Sequence, residues 1–147
     1  MKKKPLEYAL YLLELRDRSV AEIERKMKDR EYLSEEITKT IDFLKDKSLL
    51  DDARFTENYI KQLQFRSQGI YKIRNQLKKF GLDRDLVEEK LSNIDNDSEY
   101  ETAKELAQNW LKKKKVLPEK RYEKLGRFLL GRGYSIDNTK KILEELL

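Results

Sequence analysis

The chain has 147 residues, of which 41% are charged and 38% hydrophobic, and it carries a formal net charge of +5 with no Cys and no His. That balance excludes a deep globular core and suits thin helix-to-helix seams, while 14 aromatics and regularly spaced Leu and Ile argue against disorder. The missing Cys and His exclude a disulfide framework and thiol catalysis and remove the usual zinc ligands and the commonest general base. With no apolar run near the roughly 18 residues of a membrane span and no secretory pattern at the start, the expectation is a cytoplasmic, non-catalytic protein with no cofactor and no metal.

In chain order, a basic start at Lys2 to Lys4 precedes an amphipathic stretch from Leu6 to Leu15. Ser19 and Glu22 then have capping-box spacing at the head of an apolar series, Ile23, Met27, Tyr32, Ile37, Ile41 and Leu44. Asp51 caps a second amphipathic stretch, Asp52 to Phe65, with Leu50 and Phe55 at staple positions. It leads into Ile73, Leu77, Leu82, Val87, Leu91 and Ile94. Ser98 and Glu101 open a third stretch, Glu99 to Lys115, followed by Leu125, Leu129, Tyr134, Thr139, Leu143 and Leu146.

The three apolar series share the spacings 4, 5, 5, 4 and 3, offset by 50 and then 52 residues. Steps of three and four follow one helix face and the steps of five straddle a break, so each series predicts helix, turn, helix. Gly81 and Gly133 supply turn residues, and Ser34, Asp83 and Ser135 are expected N-caps. Adding the upstream stretches yields an all-α chain of three tandem three-helix repeats forming an elongated array in which curvature is allowed. The repeats are 1–47 (acidic), 48–95 (basic) and 96–147. Residues 6–46 hold eight Lys and Arg against eleven acids, and residues 47–94 ten against seven. Of the two linkers, Asn93 to Asp97 is the expected hinge.

The most informative window is Asn58 to Leu82, which contains no acid. Lys61, Arg66, Lys72, Arg74, Lys78 and Lys79 there interleave with Tyr59, Phe65, Tyr71 and Phe80. Cations without neighbouring acids attract phosphates, and exposed aromatics can stack on bases. A solvated helix face over core aromatics is the competing reading, against which the length of the acid-free run weighs. Arg127 and Arg132 are weaker contact candidates. Lys112 to Lys115 reads first as macrodipole complement at a helix C-terminus, Asp51 and Asp52 as capping residues, Glu35, Glu36, Glu88 and Glu89 as solvated faces, and Trp110 as packing. Gly131 and Gly133 flank Arg132 in a turn, and no phosphate-cradling glycine motif occurs. No catalytic constellation is present.

Together these segments resemble the RecX regulatory family. Arg18, Ser19, Glu22, Ile23, Lys26 and Met27 are similar to its RS..EL..KL motif, with Met for the last Leu, and Leu50, Asp51, Asp52, Arg54 and Phe55 resemble its LDD.RF motif. Gly69, Ile73, Leu77 and Gly81 are similar to its KG...I...L..KG segment. Lys124, Leu125, Phe128, Leu129, Arg132, Gly133 and Tyr134 resemble its KL..FL..RGY box. Gln68, Phe80 and Thr56 depart from the family pattern. The resemblance implies a protein lodged along the groove of the RecA filament on single-stranded DNA, inhibiting recombinase, ATPase and coprotease activities in DNA repair and the SOS response, and monomeric when free. Two alternatives come from other classes: a tandem helix-turn-helix protein that binds duplex DNA directly, and a carboxylate-metal nuclease built on Asp51 and Asp52.

Overall fold

The computed structural model describes residues 2–147; Met1, with which the first expected repeat begins, lies outside the described residues. The helices are α1 (Pro5–Leu15), α2 (Val20–Asp29), α3 (Ser34–Asp46), α4 (Asp52–Phe65), α5 (Ile70–Leu77), α6 (Arg84–Leu91), α7 (Asn96–Lys113), α8 (Pro118–Gly131) and α9 (Ile136–Leu146), with a 3-10 turn at Lys78–Phe80 after α5. No strand occurs among the described residues, and no helix there is long and apolar enough to cross a membrane.

Local chemistry sets most of these boundaries. Ser19 Oγ accepts from Glu22 N while Glu22 Oε1 accepts from Ser19 N, closing the capping box on α2. Asp51 Oδ1 accepts from Arg54 N at the head of α4, and Ser135 caps α9 by accepting from Asn138 N. Two starts differ from the sequence reading, and a third falls at its expected N-cap without the cap bond. Asp95, which accepts from Asp97 N and Ser98 N, caps α7 in place of Ser98, so that helix begins earlier than Glu99. Leu33 takes the N-cap position before α3, its amide donating to Glu36 Oε1, and Ser34 is already helical. Asp83 flanks α6 without a side-chain cap bond.

The three apolar series fill three separate cores. In the first, Ile23, Met27, Ile37, Ile41 and Leu44 pack with Tyr8 and Leu12 of α1. In the second, Ile73, Leu77, Val87 and Leu91 pack with Phe55, Ile60 and Leu63 of α4. In the third, Leu125, Leu129, Tyr134 and Leu143 pack with Ala103, Ala107 and Ile142. Thr139, the one polar member of the series, is buried with its Oγ1 unpartnered. Helix-to-helix packing of any extent stays inside each group of three. Each fully buried Leu or Ile contributes about 1.5–3 kcal/mol, but units of roughly 40 residues rarely stand alone on such cores. How the repeats join therefore matters.

Two joints hold them, and both use the N-terminus of a repeat's middle helix. At the first, Ser19 Oγ donates to Phe80 O at 2.6 Å and Val20 N donates to Asp52 Oδ1 at 2.9 Å. Gly81 there has φ +64, and a Cβ on it would stand 2.7 Å from Ala21 Cβ. At the second joint, Gly69 N donates to Arg132 O at 2.8 Å, Tyr71 N to Gly133 O at 3.0 Å and Ile70 N to Glu99 Oε1 at 3.0 Å. Arg132 also donates through its guanidinium to Arg66 O and Ser67 O, and Tyr134 OH donates to Ser67 O at 2.8 Å. By the repeat offsets, Ser19 corresponds to Gly69, Val20 to Ile70, Phe80 to Arg132 and Gly81 to Gly133. Asp52 and Glu99 play the same part from the first helix of the following repeat. Among the described residues no hydrogen bond links the first repeat to the third. The Asn93 to Asp97 linker, the expected hinge, spans the more heavily bonded of the two joints.

Candidate nucleic-acid interface

The acid-free window does not form one face, because it runs through α4, a turn, α5 and the 3-10 turn. Lys61 lines a cleft between the second and third repeats beside Glu57, Lys90, Asp95 and Glu99. With Lys90 Nζ 2.6 Å from Glu57 Oε1, that cleft is mixed in charge. Lys72 and Arg74 on α5 and Lys78 in the 3-10 turn share one surface near Tyr71 and Leu130. Lys79 lines a different groove, between the first two repeats.

Several cations are already engaged. Arg74 makes two hydrogen bonds to Glu88, at 2.9 and 3.1 Å, which hold the guanidinium above its ordinary pKa and the carboxyl below its own. Arg127 pairs with Glu123 one turn away. Arg132 is a bracket of the second joint. Arg66 is exposed at the end of α4, its carbonyl taken by Arg132. Half-buried Lys72 and exposed Lys78 have no ionic partner among the described residues.

The aromatics separate as well. Phe80 is buried against Phe55 and Tyr59, with ring centroids 5.0 and 4.8 Å away. Phe65 is 93% exposed and Tyr71 57% exposed. Trp110 is half-buried and stacks on Phe128, as a packing residue does.

The groove between the first two repeats encloses about 700 Å³. One wall is the loop after α1 and the outer face of α2, with Arg16, Asp17, Glu22, Arg25 and Lys26; the other is α4 and the 3-10 turn, with Phe55, Asn58, Tyr59, Gln62, Lys79 and Phe80. Glu22 is neutralised by Arg16 and occupied by the Ser19 amide. Asp17 Oδ1 accepts from Arg18 N at 3.2 Å. Arg25 and Lys26 are exposed and have no ionic partner among the described residues. Glu22, Glu24 and Asp29 surround these two in sequence and hide them in any count of charge along the chain, yet on the helix Glu24 turns away to pair with Lys28.

The carboxylates are mostly structural. Asp51 caps α4, and Asp52 caps α2 in the neighbouring repeat. Among the described residues no three acids converge as a metal site. Burial pushes the Glu99 carboxyl above its ordinary pKa despite its bond from Ile70 N, and pushes the Tyr134 hydroxyl up to about 12. The starts of α3, α6 and α9 present Glu35 and Glu36, Asp85, and Asp137, which oppose groove entry by a recognition helix.

Three family domain models match in chain order: "RecX, first three-helix domain" over residues 6–44, the second three-helix domain over 51–91 and the third over 97–143. The chain belongs to the RecX family. "Regulatory protein RecX" of Clostridium perfringens (strain 13 / Type A) is 38% identical over 141 residues, covering 94% of this chain and 66% of the relative. The chain thus spans about two thirds of the length of such clostridial RecX relatives. "Regulatory protein RecX" of Prosthecochloris aestuarii is 33% identical over 149 residues, 99% of this chain and 95% of the relative. The crystal structure of RecX from Lactobacillus salivarius superposes with a TM-score of 0.85 at 25% identity, over 97% of this chain and 94% of that one. Many residues carrying the RecX resemblance are built into the fold: Arg18 Nε donates to Leu12 O, and Ser19, Asp52, Gly69, Gly81, Arg132 and Gly133 are the joints.

Proposed function

We propose that this chain is a non-catalytic regulator that docks along the RecA filament on single-stranded DNA and restrains its ATP hydrolysis, strand exchange and coprotease activity. Under this reading it acts in the cytoplasm and is monomeric when free. The reading rests on the three RecX domains lying collinear over nearly the whole chain. Its support from the fold is a serial array of three small cores, whose continuous side surface suits a long, repetitive partner better than a compact one. Lys72 on α5, Lys78 in the 3-10 turn, Lys61 on α4 with Arg66 just past its end, and Lys79 at the first groove offer separate cationic contacts along that surface. Arg74, Arg127 and Arg132 contribute less, each already held within the chain.

The test is DNA-dependent ATP hydrolysis by RecA on single-stranded DNA, with this protein titrated in below the RecA concentration. Substoichiometric inhibition is the expected result. Full RecA turnover at equimolar protein would overturn the proposal.

A further inference from the structure

We infer that the groove between the first two repeats is a seat for one strand of nucleic acid, with a base on Tyr59 and flanking phosphates on Arg25, Lys26 and Lys79. The inference extends the filament reading without depending on it, since it concerns binding in the absence of any other protein.

The argument begins with charge. Arg16 and Glu22 cancel, and Asp17 is the remaining acid, set against Arg25, Lys26 and Lys79. Arg25 and Lys26 come from α2 and Lys79 from the 3-10 turn, so the free cations stand on opposite walls. An extended polyanion lying between them meets positive charge on both sides, releasing counterions as it binds. Lys79 is steadied by donating to Gln76 at 2.9 Å, with its ammonium 5.5 Å from the Phe80 ring.

The second step is the floor. Phe55, Tyr59 and Phe80 form one aromatic cluster, in which Phe55 and Phe80 are buried and Tyr59 is the half-buried member facing the groove. Held by Phe55 and Phe80 yet partly exposed to the groove, the Tyr59 ring is a pre-organised stacking platform, which any base can use. Paired bases in a duplex offer no free face to it, so the geometry selects single strands. Asn58 and Gln62, one helical turn apart on the same wall, supply amide donors and acceptors for a base edge or a sugar.

The experiment is equilibrium binding of the full chain, without RecA, to a fluorescently labelled 20-nucleotide thymidine strand, with the matching duplex and polyaspartate as competitors. A second strand carries one 2-aminopurine to report stacking. Single-strand binding is expected to exceed duplex binding by at least tenfold, with 2-aminopurine quenched on binding. The double variant R25E/K26E should weaken binding by at least tenfold and flatten the logarithmic salt dependence by about two units. Both residues are exposed, so the fold is not at stake. Tyr59→Leu should abolish the quench, and Tyr59→Phe should keep it. The matched reversal K114E/K115E, at exposed lysines just past α7 and outside both candidate surfaces, should change affinity less than threefold. Equal binding of duplex, displacement by polyaspartate at matched charge, or an unchanged affinity in R25E/K26E would each overturn the seat. Failure here with RecA inhibition intact rejects the seat alone, whereas strand binding without RecA inhibition rejects the filament reading alone.

Discussion

The two joints do the same job with different means. The first rests on a hydroxyl and a carboxylate: Ser19 Oγ on Phe80 O and Asp52 on Val20 N. The second adds two main-chain bonds, from the Gly69 and Tyr71 amides to the carbonyls of Arg132 and Gly133, to side-chain bonds made by the Arg132 guanidinium, the Tyr134 phenol and the Glu99 carboxylate. The lack of a side chain at Gly69 of the second repeat and at Gly133 of the third is what lets main chains meet there. The comparison teaches that one topological contact can be made by side-chain caps alone or with close main-chain approach added. With fewer hydrogen bonds, the first joint is expected to open before the second in hydrogen exchange.

The largest effect should come from the close approach itself. A Cβ on Gly69 would fall 2.4 Å from Gly133 O, backbone that cannot step aside. Gly69→Ala should cost about 3 kcal/mol in urea unfolding and deprotect the Tyr71 amide in hydrogen exchange. Arg132→Gln leaves two carbonyls without their charged donor and should cost about 1.5–3 kcal/mol, read by the same exchange experiment. If it instead leaves joint exchange untouched and cuts DNA affinity, Arg132 is a phosphate contact after all.

At the first joint, Ser19→Ala removes both a cap and the bond to Phe80 O and should cost about 1–2 kcal/mol. Gly81→Ala meets only another methyl, Ala21 Cβ. Its clash should be relieved by adding Ala21→Gly, leaving the left-handed cost of about 1–2 kcal/mol; a cycle with no coupling would show that the joint does not close as described.

The smallest effect, and the one with a telling sign, is Glu99→Gln. Burial raises the Glu99 pKa, so its favourable contribution is fully present below the ordinary carboxylate value and is lost as pH rises through the raised one. The variant keeps an acceptor for Ile70 N without the buried charge. Its stability relative to the natural chain should therefore be greatest near neutrality and shrink on acidification through that window. A gap independent of pH would mean the carboxylate is solvated.

The helices and the three cores were legible in the sequence because apolar spacing is a local signal, repeated three times at matching intervals. Thr139 alone interrupts it and is still buried. The joints were not legible, because their partners lie 29 to 67 residues apart and use residue types with a local explanation at hand. Asp52 beside Asp51 looks like a cap for α4, yet it caps α2. Arg132 between two glycines looks like a free cation, yet it closes a joint. The contact surface was half legible. Lys79 and Tyr59 belong to the acid-free window, but Arg25 and Lys26 sit among acids that the helix turns elsewhere, and the window's own cations are distributed over three faces.

Repeat arithmetic puts Glu31 where the later repeats have Gly81 and Gly133, and it holds the same left-handed turn at φ +62. In the later repeats that position is bare so that a preceding repeat can come within touching distance. Here the exposed Glu31 carries a side chain at that position, so the close main-chain approach that the two glycines permit meets a Cβ instead.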